Sequence, residues 1–181
     1  MRTEQMTPDA PLEDRLRHIQ LILSDVDGVL TSGGVIFDNQ GIEAKRFHIR
    51  DGMGIVLWQR AGKQFGIISG RTSQIVKLRA AELDIDIVRQ GFEDKLSVMQ
   101  EILEQLGLTA QQSCYIGDDL PDLAPVKHAG VGVAVADAVA DLRDAADYVT
   151  EVGGGQGAVR ELIELILKAQ HRWEDVVRKY A

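Results

Sequence analysis

Unbroken apolar runs alternate with amphipathic stripes along most of this chain. Leu21, Ile22 and Leu23 lie in one such run, residues 19–26, which ends in Asp25-Val26-Asp27-Gly28. That pattern suits a strand buried on both faces that delivers polar residues at its C-terminal edge. Further strands are expected over 64–69, 85–90, 113–117, 131–135 and 148–150. Helices are expected between them, over 72–83, 94–106, 120–128 and 138–145, with Gly107 closing the second. A last helix over 159–169 places Leu162, Ile163, Ile166 and Leu167 on one side and can run on toward Tyr180. Residues 33–49 read differently. Val35-Ile36-Phe37 and Glu43-Ala44-Lys45-Arg46-Phe47 flank Asp38-Asn39-Gln40-Gly41, a β-hairpin signal. A helix over 52–61 follows, with Asp51 as its expected cap and Gly62 at its end.

Strands alternating with helices imply right-handed crossovers and a doubly wound parallel α/β sheet. Its ligand crevice lies beyond the strand C-termini, where the strand order reverses. The expected organisation is a short, poorly ordered lead-in at 1–17 with room for one helical turn, one domain at 18–170, and a tail at 171–181.

Composition narrows the function classes. The formal net charge of −8 argues against a nucleic-acid partner. No apolar run approaches the roughly 20 residues of a membrane span, and residues 1–17 lack the apolar core of a signal peptide. A cytoplasmic protein is therefore expected. The single cysteine, Cys114, excludes an intrachain disulfide framework and a Cys-rich zinc site. Its apolar neighbours point to buried packing.

Two acidic clusters follow apolar strands: Asp25-Val26-Asp27-Gly28 and Gly117-Asp118-Asp119-Leu120-Pro121-Asp122. Clustered carboxylates repel one another unless a cation neutralises them. Oxygen ligands without nearby Cys or His favour Mg²⁺ over zinc. A single such Asp would read as a loop acid or helix cap; two clusters at equivalent strand ends read as a site.

These motifs resemble those of the haloacid dehalogenase superfamily of phosphatases. Asp25-Val26-Asp27-Gly28-Val29-Leu30-Thr31 matches the first motif, Ser69-Gly70-Arg71 the second, Lys95 the third and Gly117-Asp118-Asp119-Leu120-Pro121-Asp122 the fourth. The resemblance implies a Rossmann-like fold and a hydrolase acting on phosphoric monoesters. It implies that Asp25 is the nucleophile and Asp27 the general acid and base. Ser69 and Lys95 would donate to the phosphoryl oxygens. Mg²⁺ would be held by Asp25, the Asp27 carbonyl and Asp118, with Asp119 and Asp122 orienting the metal site and Lys95. Only 34 residues separate Leu30 of the first motif from Phe65 of the strand that leads to the second, too few for the cap domain of many relatives.

Within the superfamily the chain resembles the capless, tetrameric phosphatases of 3-deoxy-D-manno-octulosonate 8-phosphate (KDO 8-phosphate). The segments that carry this are Lys45-Arg46-Phe47-His48-Ile49-Arg50-Asp51-Gly52-Met53-Gly54-Ile55, Ile68-Ser69-Gly70-Arg71, Tyr115-Ile116-Gly117-Asp118-Asp119 and Gly157-Ala158-Val159-Arg160-Glu161. The implied substrate is a small phosphorylated sugar acid. Its contacts would be Asp27, His48, Ile49, Arg50, Asp51, Gly52, Arg71, Arg79 and Lys95. From the residues alone, Arg79 reads equally well as a surface charge and His48 as packing. The chain departs from the family at Ser32, Val56 and Gln156, which stand where Asp, Arg and Arg are common. A sialic-acid-type 9-phosphate is the alternative substrate, and a non-catalytic binding module the alternative class.

Gly153-Gly154-Gly155-Gln156-Gly157-Ala158 fits a loose dinucleotide pattern, but no further strand with a ribose-binding acid follows it. A mobile turn near the site, or a contact to a neighbouring subunit, is expected instead. A site without a cap needs other walls. Exposed Val35, Ile36 and Phe37 on the hairpin, and Trp173, Val176, Val177 and Tyr180 in the tail, suggest a homotetramer with the tail near an adjoining site.

Overall fold

β1, Leu21–Ser24, is buried along its whole length, as its run of apolar side chains requires. In this computed structural model, which describes residues 10–180, β1 is followed by a small antiparallel hairpin of β2, Ile36–Phe37, and β3, Glu43–Ala44. The other strands are β4 (Gln64–Ser69), β5 (Ile87–Gln90), β6 (Ser113–Gly117), β7 (Val131–Ala134) and β8 (Tyr148–Val149). With β1 they form one parallel sheet in the order β5-β4-β1-β6-β7-β8. The chain runs outward from β1 through β4 to β5, then returns to β6 on the other side of β1. The strand order therefore reverses at β1, which puts the crevice at the C-terminal ends of β1, β4 and β6.

Helices α1 (Leu12–Arg17), α2 (Ile49–Arg60), α3 (Gln74–Glu82), α4 (Lys95–Leu106), α5 (Leu123–His128), α6 (Ala140–Ala145), α7 (Ala158–Ala169) and α8 (Trp173–Val177) complete the domain. α1 and α2 pack on α7, and α4 and α6 pack on α5. Right-handed crossovers place these two groups on opposite faces of the sheet. α7 buries Leu162, Ile163, Ile166 and Leu167, at about 1.5–3 kcal/mol for each such side chain. Fully buried Trp58 of α2 satisfies its indole by donating to Gln64 O at 2.6 Å. The fold is the expected doubly wound sheet with a hairpin, and among the described residues there is no cap domain.

Several boundaries differ from expectation. The lead-in carries the short helix the sequence left room for, from Leu12, but that helix is fixed rather than loose, because Leu16 enters the core and Arg15 bonds Gly130 O and Asp147; the first nine residues lie outside those described. α2 begins at Ile49, three residues early. His48, not Asp51, is its cap, accepting from Arg50 N through Nδ1. The last helix does not run on to Tyr180. His171 adopts φ 54°, Arg172 N donates to Leu167 O, and α8 turns back. The tail finds its surface on its own domain. Trp173 lies under Arg160 and Lys168, at 5.2 and 5.4 Å, and Arg60 donates to the Tyr180 hydroxyl.

Candidate active site

Asp25 leaves β1 with its N–H bonded to Ile116 O of the neighbouring strand. Ser69 ends β4, and Asp118 follows β6, so three adjacent strand ends deliver three polar groups to one place. Gly28 adopts φ +103° in the loop after β1. A Cβ there would lie 1.9 Å from Asp118 Oδ2, so the missing side chain is what lets the two acidic loops meet. The glycine-rich segment fixes this loop from behind. Gly155 N donates to Val29 O and Gly154 N to Asp137 Oδ1, both at 2.8 Å. A Cβ on Gly154 would lie 1.7 Å from Gly28 O. The turn predicted to be mobile is thus a buried brace, held by backbone contact that only glycine permits.

Lys95 opens α4 and is 5% exposed. Its Nζ lies 2.7 Å from Asp122 Oδ1 and 3.1 Å from Asp25 Oδ1. Burial alone would lower the ammonium, but Asp25 and Asp122 outweigh it and hold Lys95 above the ordinary lysine value. Asp122 also accepts from the buried Tyr115 hydroxyl and from the N–H groups of Asp118 and Asp119. Four donors thus fix Asp122 as a support for Lys95. Tyr115 escaped sequence reasoning because its apolar strand reads only as core.

Burial, then repulsion from Asp122, raises the Asp25 carboxyl; burial, then Asp25 and Asp122, raises Asp118. Carboxylate oxygens of Asp25, Asp118 and Asp122 lie within 4.8 Å of one another. Asp118 Oδ1 is buried with no hydrogen-bond partner. An unsatisfied buried carboxylate oxygen beside two further acids is what a cation would satisfy. The residues present therefore fit Mg²⁺. Asp122 belongs to this group by distance, but its donors already occupy it, which leaves Asp25, Asp118 and the Asp27 carbonyl as the expected set. Asp119 is exposed and caps the short 3₁₀ turn that follows it, accepting from Leu120 N.

Asp27 meets groups that sequence reasoning did not assign. Lys45 of the hairpin, 2% exposed, bonds Asp27 Oδ1 and lies 3.4 Å from Glu43. Glu43 accepts from Arg71 at 3.0 Å and from Ser73 Oγ at 2.6 Å. Arg71 approaches Asp27 Oδ2 at 3.7 Å. The period-two spacing of Glu43 and Lys45 was the available signal, since it puts both on one side of the strand.

A cleft of about 540 Å³ covers this constellation. Asp25, Asp27, Glu93, Asp118, Asp119 and Asp122 line it against only Arg71 and Lys95, so an anion would be repelled without a bound cation. The other expected substrate contacts lie elsewhere in a single chain. His48, Asp51, Gly52 and Arg79 line a separate small cavity of about 10 Å³, room for about one water. Asp51 accepts from Arg160 N through Oδ1, capping α7, while its Oδ2 is buried without a hydrogen-bond partner among the described residues. Arg79 pairs with Glu82 and stacks on Phe47 at 5.8 Å. A Cβ on Gly52 would meet the Arg79 guanidinium at 2.4 Å. Exposed Ile49 lies with Arg46, His48, Gly155 and Gln156 around a second open cleft of about 610 Å³. Arg50 is exposed at the start of α2.

Comparison with known proteins places this geometry. A family model described as haloacid dehalogenase-like hydrolase matches residues 77–162. The 3-deoxy-D-manno-octulosonate 8-phosphate phosphatase of Haemophilus influenzae is 40% identical over 159 residues, 88% of each chain. The crystal structure of the Moraxella catarrhalis phosphatase of that name, in complex with magnesium, phosphate and KDO, superposes with a TM-score of 0.92. It is 40% identical, with 93% of this chain and 97% of that one covered. A cobalt-bound structure of the Haemophilus influenzae enzyme gives a TM-score of 0.85 at 40% identity, covering 88% and 93%. Fold and acidic strand ends are thus those of a haloacid dehalogenase-like hydrolase. Within that class, the chain belongs to the family of 3-deoxy-D-manno-octulosonate 8-phosphate phosphatases.

Proposed function

We propose that the protein is a Mg²⁺-dependent phosphomonoesterase that hydrolyses KDO 8-phosphate to KDO and phosphate through an aspartyl-phosphate. The observation that carries this reading is the convergence of Asp25 and the unpartnered Asp118 oxygen, at adjacent strand ends, with Lys95 at the start of α4. Asp25 attacks phosphorus in line; the Asp25 O–P bond forms as the bond to the sugar oxygen breaks. Asp27 gives its proton to that leaving oxygen. It then takes a proton from the water whose oxygen displaces Asp25. Ser69 and Lys95 donate to the phosphoryl oxygens, where charge resides in the transition state. Mg²⁺ bound by Asp25, Asp118 and the Asp27 carbonyl supplies the positive charge that offsets repulsion between nucleophile and substrate.

Arg71, half-exposed at the cleft, suits the sugar carboxylate by its fork of donors. The remaining contacts, His48 to Gly52 and Arg79, do not open onto this cleft within one chain. We therefore propose a homotetramer whose neighbours wall the site. The hairpin supports this, since Val35, Ile36 and Phe37 are more than half exposed. The proposed setting is cytoplasmic, at the step that frees the sugar acid for lipopolysaccharide biosynthesis. No helix among the described residues is long and apolar enough to cross a membrane. Phosphate release from KDO 8-phosphate, N-acylneuraminate 9-phosphate and KDN 9-phosphate tests the substrate. KDO 8-phosphate is expected to give the highest kcat/KM, and preference for either 9-phosphate would refute the assignment.

A further inference from the structure

We infer that Lys45 is a positioning residue for Asp27, seated by Glu43, and that it acts chiefly in the hydrolysis of the aspartyl-phosphate. This inference rests on the phosphatase reading above. Lysine ammonium groups are rarely buried without a reason, because desolvation is costly. The Lys45 side chain is buried to 2% exposure on an otherwise exposed hairpin, and among the described residues its Nζ meets only carboxylates, Asp27 and Glu43. Exposure alternates along the strand. Counting whole residues, Glu43 and Lys45 are partly buried, while Ala44 and Arg46 are exposed. The pair therefore points at the site by register, not by an accident of one rotamer.

The pair is itself held. Arg71 and Ser73, in the loop after Ser69, bond the two Glu43 oxygens. The position of the Lys45 charge is thereby set from a second strand end. Asp27 needs such support. Among the described residues, Lys45 is the one donor within hydrogen-bonding distance of its carboxylate, with Arg71 farther off at 3.7 Å. After Asp27 has given its proton to the leaving oxygen it is an anion, and it must then receive a proton from water at nearly the same place. An ammonium fixed against one oxygen holds the other toward that water, so the second half-reaction depends on Lys45 most.

Pre-steady-state kinetics with p-nitrophenyl phosphate and Mg²⁺ separate the two halves. Its leaving group departs without a proton, so the first half survives a poorly aimed Asp27. Lys45→Met is expected to release about one equivalent of p-nitrophenolate per site in a burst, then turn over about a hundredfold more slowly than wild type. Lys45→Arg should recover much of that rate. Wild-type turnover in Lys45→Met, or slow turnover with no burst, would overturn the inference. Should Lys45→Met not fold, Glu43→Gln carries the same test, with a burst and a smaller slowing of about tenfold expected. The double variant Lys45→Met/Glu43→Gln should remain slow. Its full recovery would reduce Lys45 to a separator of two like charges and would also overturn the inference. Asp25→Asn run alongside tests the phosphatase reading separately. Turnover there would sink that reading whatever Lys45 does.

Discussion

Lys95 and Asp122 form a buried ion pair, Nζ to Oδ1 at 2.7 Å, in which the acid supports the base rather than the substrate. Breaking one side of such a pair costs about 3–5 kcal/mol, because the other charge stays buried. Asp122→Ala also leaves the Tyr115 hydroxyl without its acceptor. Urea unfolding should show a loss of that size, and turnover should fall about a hundredfold as Lys95 is left to Asp25 alone. Asp122→Asn, which keeps an acceptor for both donors, should lose clearly less stability.

Gly154→Ala tests the brace behind the first acidic loop. The new Cβ would overlap Gly28 O, and backbone cannot yield as a side-chain end can. A loss of about 1–3 kcal/mol is expected by thermal or denaturant unfolding, together with reduced turnover as the Asp25 loop shifts. Gly34→Ala is the control, since nothing lies closer than 4.0 Å to its Cβ. It should stay within about 0.5 kcal/mol of wild type.

Much of this was legible beforehand, for identifiable reasons. The strand carrying Ser113 to Gly117 was readable because continuous apolar residues end sharply in acids. α4 was readable because Asp94 caps it and Gly107 closes it in the left-handed region. The meeting of Asp25, Ser69 and Asp118 followed from strand ends, whereas Lys95, which opens α4, was placed with them only by the order of the family motifs. Asp51 was misread because a short acid before a helix signals a cap without saying for which helix. It caps α7, more than a hundred residues away. Lys45 and Glu43 were missed because their period-two spacing puts both on one side of the strand without saying what that side faces, which depends on where the hairpin folds over the sheet. The glycine-rich turn was misjudged for the same reason, since close backbone approach and mobility both call for glycine.

Metal removal should show a dependence on pH. Burial, with Asp122 next, pushes Asp25 up to about 6; burial, with Asp25 and Asp122, pushes Asp118 up to about 8. Without metal, the folded protein holds these protons after the unfolded chain has released them. The stability this confers is full below the ordinary carboxylate pKa and is lost as pH rises through the raised values. Mg²⁺ replaces those protons. The rise in Tm from EDTA to Mg²⁺ should therefore be larger near about pH 8 than near about pH 5. An equal rise at both would contradict a site built on Asp25 and Asp118.

Assembly is tested at the hairpin. Phe37, 57% exposed, belongs to an apolar surface that the single chain leaves open. Sedimentation of the wild type at low micromolar concentration should give a tetramer. Phe37→Glu should shift it to smaller species with weaker KDO 8-phosphate binding. A fully active wild-type monomer would contradict the shared site.

The central claim is that the Asp25 carboxylate attacks phosphorus. The most direct measurement is phosphate release from KDO 8-phosphate by Asp25→Asn in saturating Mg²⁺. The amide keeps the shape and removes the attacking charge. Turnover should fall by at least about a thousandfold while the variant stays folded. A folded Asp25→Asn protein that releases phosphate at close to the wild-type rate would contradict the aspartyl-phosphate mechanism.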